Sequence, residues 1–206
     1  LLTPDMIFTL GPLMSNIDMD NIDVRNVLFE LIESKAKKDP DKLNALLSKA
    51  DENINLLLFP IVEGLGSEDA ARISLQMTRH DSFEVRRTGL NGYFTNISSP
   101  DFESLFPLLN DEDDVIVGRL LTFLLSEAES EEAETLLLRF LEHAIAEGIE
   151  HAHMFEYYKA LSQCGSFRSV KVLKKILMES KLTDMFSNMN AVHKKGSALA
   201  LKILGT

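Results

Sequence analysis

Apolar residues recur along this chain at offsets of three, six, seven and ten, the spacing of one face of an α-helix. One column starts at a serine: Ser67, Ser99, Ser130 and Ser166. Three residues later stand Ala70, Phe102, Ala133 and Ser169; six later, Ile73, Leu105, Leu136 and Val172; ten later, Met77, Leu109, Phe140 and Ile176. The serines predict helix N-caps, and Pro100 predicts a first helical position after Ser99. Acidic residues in the first turn, Glu68 and Asp69 or Glu131 and Glu132, suit the positive end of the helix dipole.

A second column follows Asp51, Asp81 and Asp111, which stand thirty residues apart. Behind them Ile54, Val85 and Val115 align, then Phe59, Leu90 and Leu120, then Val62, Tyr93 and Phe123. The predicted unit is helix A, a turn carrying Asp, helix B, and a capped turn into the next unit. A fixed period of this length reads as a repeat array. One such hairpin cannot bury its apolar face alone, so neighbours must stack. The expected fold is all-α: a right-handed α-solenoid of about five helix pairs, forming one domain over residues 1–206.

The pairs are placed at roughly 40–65, 67–97, 99–126, 130–164 and 166–204, after a helical lead-in over 1–38. In the lead-in, Pro4 to Met14 predicts a first helix. Asn21 to Lys38 predicts a longer one, with Val24, Val27, Leu28, Leu31 and Ile32 on one face. Asp39 and Pro40 open the next. In pair four, helix A is expected to reach Glu147 and helix B to start near Glu150. In pair five, Lys181 to His193 reads as irregular, before a last helix through Leu204. Gly66-Ser67 and Gly165-Ser166 open new A helices, and Gly205-Thr206 repeats that punctuation. With no initiator Met, the expectation is the C-terminal array of a longer protein, with a further repeat to follow.

These residues resemble HEAT repeats, in particular the short bacterial, PBS-lyase type. That family commonly opens its second helix with Asp, two or three variable residues, Val and Arg. Asp81, Val85 and Arg86 match well, Asp111 and Val115 in part, and Asp51 with Ile54 faintly. Ala160 to Ser166 looks like the family's inter-repeat turn, and Ala198 to Thr206 looks like it again. The resemblance covers roughly Asp39 to Thr206. It implies an α-solenoid in which Asp51, Asp81, Arg86 and Asp111 help stack the repeats. HEAT arrays serve many unrelated binding roles, so the likeness implies a fold more than a function.

Composition supports helix: glycine (10) and proline (6) are scarce, and both break helix interiors. The net charge is −11, unevenly spread. Residues 101–150 hold fourteen acidic and two basic side chains; residues 166–206 hold eight basic and two acidic. The acidic block favours a basic partner or a solvated surface. The overall balance disfavours nucleic acid, which needs clustered Lys and Arg. The longest apolar run, Leu56 to Val62, is far too short for a membrane span, and Leu1 to Met14 lacks the basic start of a secretory signal. A single cysteine, Cys164, fits a reducing compartment, and the expected location is cytoplasmic. Beside Gly165 it reads as a packing residue without a nearby base.

The chemistries known on HEAT-like arrays each have a residue signature. Di-iron hydroxylases of this type use His-Glu pairs. Here His80, His143, His151, His153 and His193 are followed by Asp, Ala, Ala, Met and Lys. HEAT-like DNA glycosylases need a basic face, which 32 acidic against 21 basic residues do not offer. His143, Glu147, Glu150, His151 and His153 could form a metal cluster, but His151 and His153 are two apart and diverge on a helix. The default there is an exposed helix junction. Asp111 to Asp114 lack the glycine and spacing of a calcium loop and are expected to cap helix B.

The expected function is a non-enzymatic interaction scaffold without catalytic residues, metal or cofactor. It would bind a protein or peptide, a basic one in the acidic region, along the solenoid face. Candidate contacts are Arg86, Arg87, Asn91 and Arg119 on B helices, with Asp111, Asp113 and Asp114. Two alternatives stand beside it. One is a lyase-type accessory domain acting with a bound pigment or modified protein. The other is a regulatory spacer that self-associates through its C-terminal end.

Overall fold

The computed structural model describes residues 22–127, 130–149, 152–178 and 189–205. Among them every regular element is a helix, with no strand. No helix among the described residues is long and apolar enough to cross a membrane. The expected helix at Pro4 to Met14 lies outside the described residues, as do Glu150, His151 and Thr206.

The chain forms two compact units, Leu1–Pro100 and Asp101–Thr206. The first holds α1 (Ile22–Ala36), α2 (Pro40–Leu47), α3 (Glu52–Glu63), α4 (Ser67–Met77) and α5 (Phe83–Asn96). Helix α2 packs on α4, while α1 packs on α3 and α3 on α5; α3–α4 and α4–α5 contacts join the two rows. Ile32, Leu43, Leu47, Leu58, Ile73 and Leu90 are buried. The tightest approach is between α4 and α5. A Cβ on Gly89 would lie 2.6 Å from the Ser74 carbonyl and 2.8 Å from Met77 Cβ. Only glycine lets α5 settle this close.

The second unit holds α6 (Phe102–Leu105), a 3-10 turn (Phe106–Asn110), α7 (Asp114–Ser126), α8 (Glu131–Glu147), α9 (Met154–Cys164), α10 (Phe167–Met178) and α11 (Met189–Ile203). Again there are two rows. Helix α6 packs on α8 and α8 on α10; α7 packs on α9 and α9 on α11. Tyr157 on α9 stacks on Phe140 of α8 with ring centroids 4.5 Å apart, and its hydroxyl donates to the Leu109 carbonyl. Tyr158 OH meets His193 Nδ1 at 2.9 Å. Gly196 faces the Tyr158 ring so closely that a Cβ would stand 2.1 Å from it.

Several helix limits differ from the sequence reading. Gly66, not Ser67, occupies the cap of α4. Asp101, not Ser99, caps α6 and accepts from Ser104 N at 3.2 Å. Helix A of the third pair was expected to reach Leu109; it gives way to the 3-10 turn at Phe106. Pro107 explains this, since it lacks an N–H and its ring crowds the carbonyl four residues back. Helix α9 starts at Met154, and α11 starts at Met189, ahead of His193. Ser130 does cap α8, accepting from Ala133 N at 3.1 Å. Ser166 Oγ accepts from Arg168 N at 3.1 Å.

The second-helix column also changes register. The caps are Asp51, Ser82 and Asp113, accepting from Ile54 N, Val85 N and Val115 N. They are 31 residues apart. Three residues past each cap stand Ile54, Val85 and Ile116, all buried, whereas Val115 is 41% exposed. Aligning on the aspartates placed Val115 inward; aligning on the caps places Ile116 there.

Candidate functional site

The A–B turns of the first unit are polar and mutually bonded. Asn55, one turn into α3, is 1% exposed. Its amide nitrogen lies 3.1 Å from Leu47 O, 3.1 Å from Ala50 O and 3.0 Å from Asp51 O. An unmatched amide at that depth would carry its full desolvation cost, so these bonds fix the turn between α2 and α3. Arg86 occupies the equivalent place in α5, four residues past the cap. It donates to the carbonyls of His80 (3.1 Å) and Asp81 (2.7 Å).

His80 joins the two turns. Its Nδ1 accepts from Ser82 N at 2.9 Å, which leaves the ring hydrogen on Nε2. That atom lies 3.2 Å from Ala50 O, thirty residues earlier. Successive turns are therefore linked by a ring and a carbonyl.

Beside this network lies a pocket of about 70 Å³, lined by Asn44, Leu47, Ser48, Asn55, Gln76, Met77, Arg79 and His80. Leu47 and Met77 supply an apolar floor and are buried. Asn44 and Gln76 bring amides that can both donate and accept; Arg79, exposed, brings a guanidinium. The pocket thus joins an apolar floor to side chains that donate and accept hydrogen bonds.

The candidate contacts read from sequence lie at several places. Arg86 is engaged with its own turn. Arg87 lies 3.3 Å from Glu84 and sits 4.9 Å over the half-exposed Phe83 ring. Asn91 is exposed on α5. In the second unit Asp111 accepts from Asp113 N at 2.9 Å, Asp113 caps α7, and Asp114 and Arg119 are exposed. Of the aspartates given a stacking role, Asp51 caps α3. Asp81 contributes a carbonyl to Arg86, and Asp111 shapes its own turn.

Sequence reasoning missed Glu134, the most constrained carboxylate here. It is 3% exposed on α8. Its Oε1 accepts from Ser166 N (2.8 Å), Ser166 Oγ (2.9 Å), Ser169 N (3.1 Å) and Ser169 Oγ (2.5 Å). Burial pushes its pKa up from 4.5, but these four donors outweigh burial and hold it below that value. An anion at the head of α10 also suits the helix dipole. The nearby Cys164 thiol is pushed up to about 11 by burial and by the Glu134 charge, so it stays protonated at neutral pH.

No group of three or more His, Cys, Asp or Glu among the described residues could hold a metal ion. His143 packs by the Phe106 ring, and His153 lies 3.6 Å from Asp114. No family model, curated protein or solved structure matches the chain.

Proposed function

We propose that the chain is a HEAT-like α-solenoid module that binds a peptide segment of a partner protein and catalyses no reaction of its own. The observation that carries the reading is the pairing of helices. In each unit A helices pack on A helices and B helices on B helices, in chain order. Stacked hairpins of this kind present long, regular surfaces. The pocket at Asn44, Gln76 and Arg79 supports the peptide reading, because it combines an apolar floor with amides suited to a peptide backbone. Affinity would come from one inserted side chain and two or three backbone bonds, in a concave site of mixed character.

The test is selection from a displayed library of random linear peptides. Enriched sequences are expected to bind the wild-type chain and to lose at least about tenfold in affinity, or 1.4 kcal/mol, on Asn44→Ala/Gln76→Ala/Arg79→Ala. Circular dichroism should be unchanged. Selection that enriches nothing, or peptides indifferent to the triple change, would defeat the proposal.

A further inference from the structure

The pocket beside the turn between α2 and α3 has its backbone acceptors occupied and its side-chain donors open. Leu47 O takes hydrogen bonds from Ala50 N at 3.2 Å and Asn55 Nδ2 at 3.1 Å. Ala50 O takes them from Asn55 Nδ2 at 3.1 Å and His80 Nε2 at 3.2 Å. A carbonyl oxygen has two lone pairs, so neither has one left for a ligand. The remaining acceptors are neutral oxygens, on Ser48 and the amide side chains. The donors differ. Among the described residues, the side chains of Asn44, Gln76 and Arg79 make no hydrogen bond or ion pair. Asn44 and Gln76 are half-buried and Arg79 is exposed at their side.

Charge points the same way. Among the described residues no aspartate or glutamate lines the pocket, and Arg79 is its one permanent charge. A carboxylate accepts and does not donate, and a guanidinium pairs with it through two parallel N–H bonds. The Asn44 and Gln76 amides offer donors to the lone pairs that remain. The buried Leu47 and Met77 side chains offer apolar surface to a methylene stem. We infer that the pocket at Asn44, Gln76 and Arg79 takes an aspartate or glutamate side chain of its peptide and binds the carboxylate through Arg79. This rests on the peptide reading above and fixes the charge of the inserted residue. The acidic residues 101–150, which suit a basic partner, belong to the other unit.

Calorimetric titration with the peptides enriched from the displayed library tests it. They should share one aspartate or glutamate. Replacing it by asparagine or glutamine should weaken binding at least about tenfold, while amidating the peptide's C terminus should change little. Arg79→Gln, with unchanged circular dichroism, should weaken the acidic peptide by a similar factor and leave the amide-bearing peptide's affinity as it was. The two changes should therefore not add, the mark of direct contact. Raising salt from about 0.1 M to about 1 M, which shortens screening from about 10 Å to about 3 Å, should weaken the acidic peptide alone. Peptides that lose affinity on the Asn44, Gln76 and Arg79 triple change yet share no acidic residue would overturn this inference and leave the peptide reading standing. Selection that enriches nothing would overturn both. Loss on amidation alone would overturn it in favour of a chain-end carboxylate, and additive effects would place the carboxylate away from Arg79.

Discussion

In the first unit Arg72 of α4 reaches Asp41 of α2 at 2.8 Å, with both side chains substantially exposed; in the second, Glu134 of α8 is buried and takes its four hydrogen bonds from the head of α10. Both ties join one A helix to the next. The first is an ion pair in water, where attraction is screened and two long side chains must be held still. The second is a carboxylate that has given up water and depends on its donors. The same architectural step is thus secured by a tie that can be lost cheaply in one unit and by one that cannot in the other. The B-helix turns differ as well. Asn55 and Arg86 clamp carbonyls in the first unit, while the position four past the cap in α7 holds the buried Val117.

Glu134→Ala should cost the most, about 3 kcal/mol by urea denaturation, because the serine donors at α10 lose a charged acceptor in a dry site. A loss below about 0.5 kcal/mol would show that the tie carries no more than a surface pair. Gly89→Ala should follow at about 1–3 kcal/mol, since its Cβ would meet Met77 and the Ser74 carbonyl, both held by α4. Full stability on doing so would mean that α4 and α5 can separate freely.

Acid comes next. The Glu134 pKa is lower in the folded chain than its ordinary 4.5. Its contribution is therefore complete above the ordinary carboxyl range and lost as pH falls through the lower folded value. Glu134→Gln should flatten the acid limb of a stability–pH curve; an unchanged limb would place the acid sensitivity elsewhere. Arg72→Ala should matter least, about 0–1 kcal/mol, with a still smaller effect in high salt. A larger cost would mean that the Asp41 and Asp69 contacts act as a network.

The helical pattern and the A–B hairpins were legible because apolar spacing is a property of the local chain. The register was not. Asp51, Asp81 and Asp111 suggested a period of thirty, but the caps fall on Asp51, Ser82 and Asp113, so the alignment slipped by one residue per unit and placed Val115 where Ile116 belongs. Any of Asp, Ser or Asn can cap, and neighbouring candidates compete within two residues. Pro107 offered a visible signal for the broken third A helix that the apolar column overrode. In sequence Glu134 was only one residue of the acidic block; its bonded, buried setting depends on Ser166 and Ser169, more than thirty residues away. The pocket gathers residues from α2, α3, α4 and the turns after α2 and α4, which no single periodicity brings together.

The direct measurement is hydrogen–deuterium exchange with and without a library-selected peptide bound. The account predicts slowed exchange at residues 44–55 and 76–80, around the Asn44, Gln76 and Arg79 pocket, with little change on α8 and α10. Peptide binding that leaves those segments unprotected, or protects only the second unit, would contradict it.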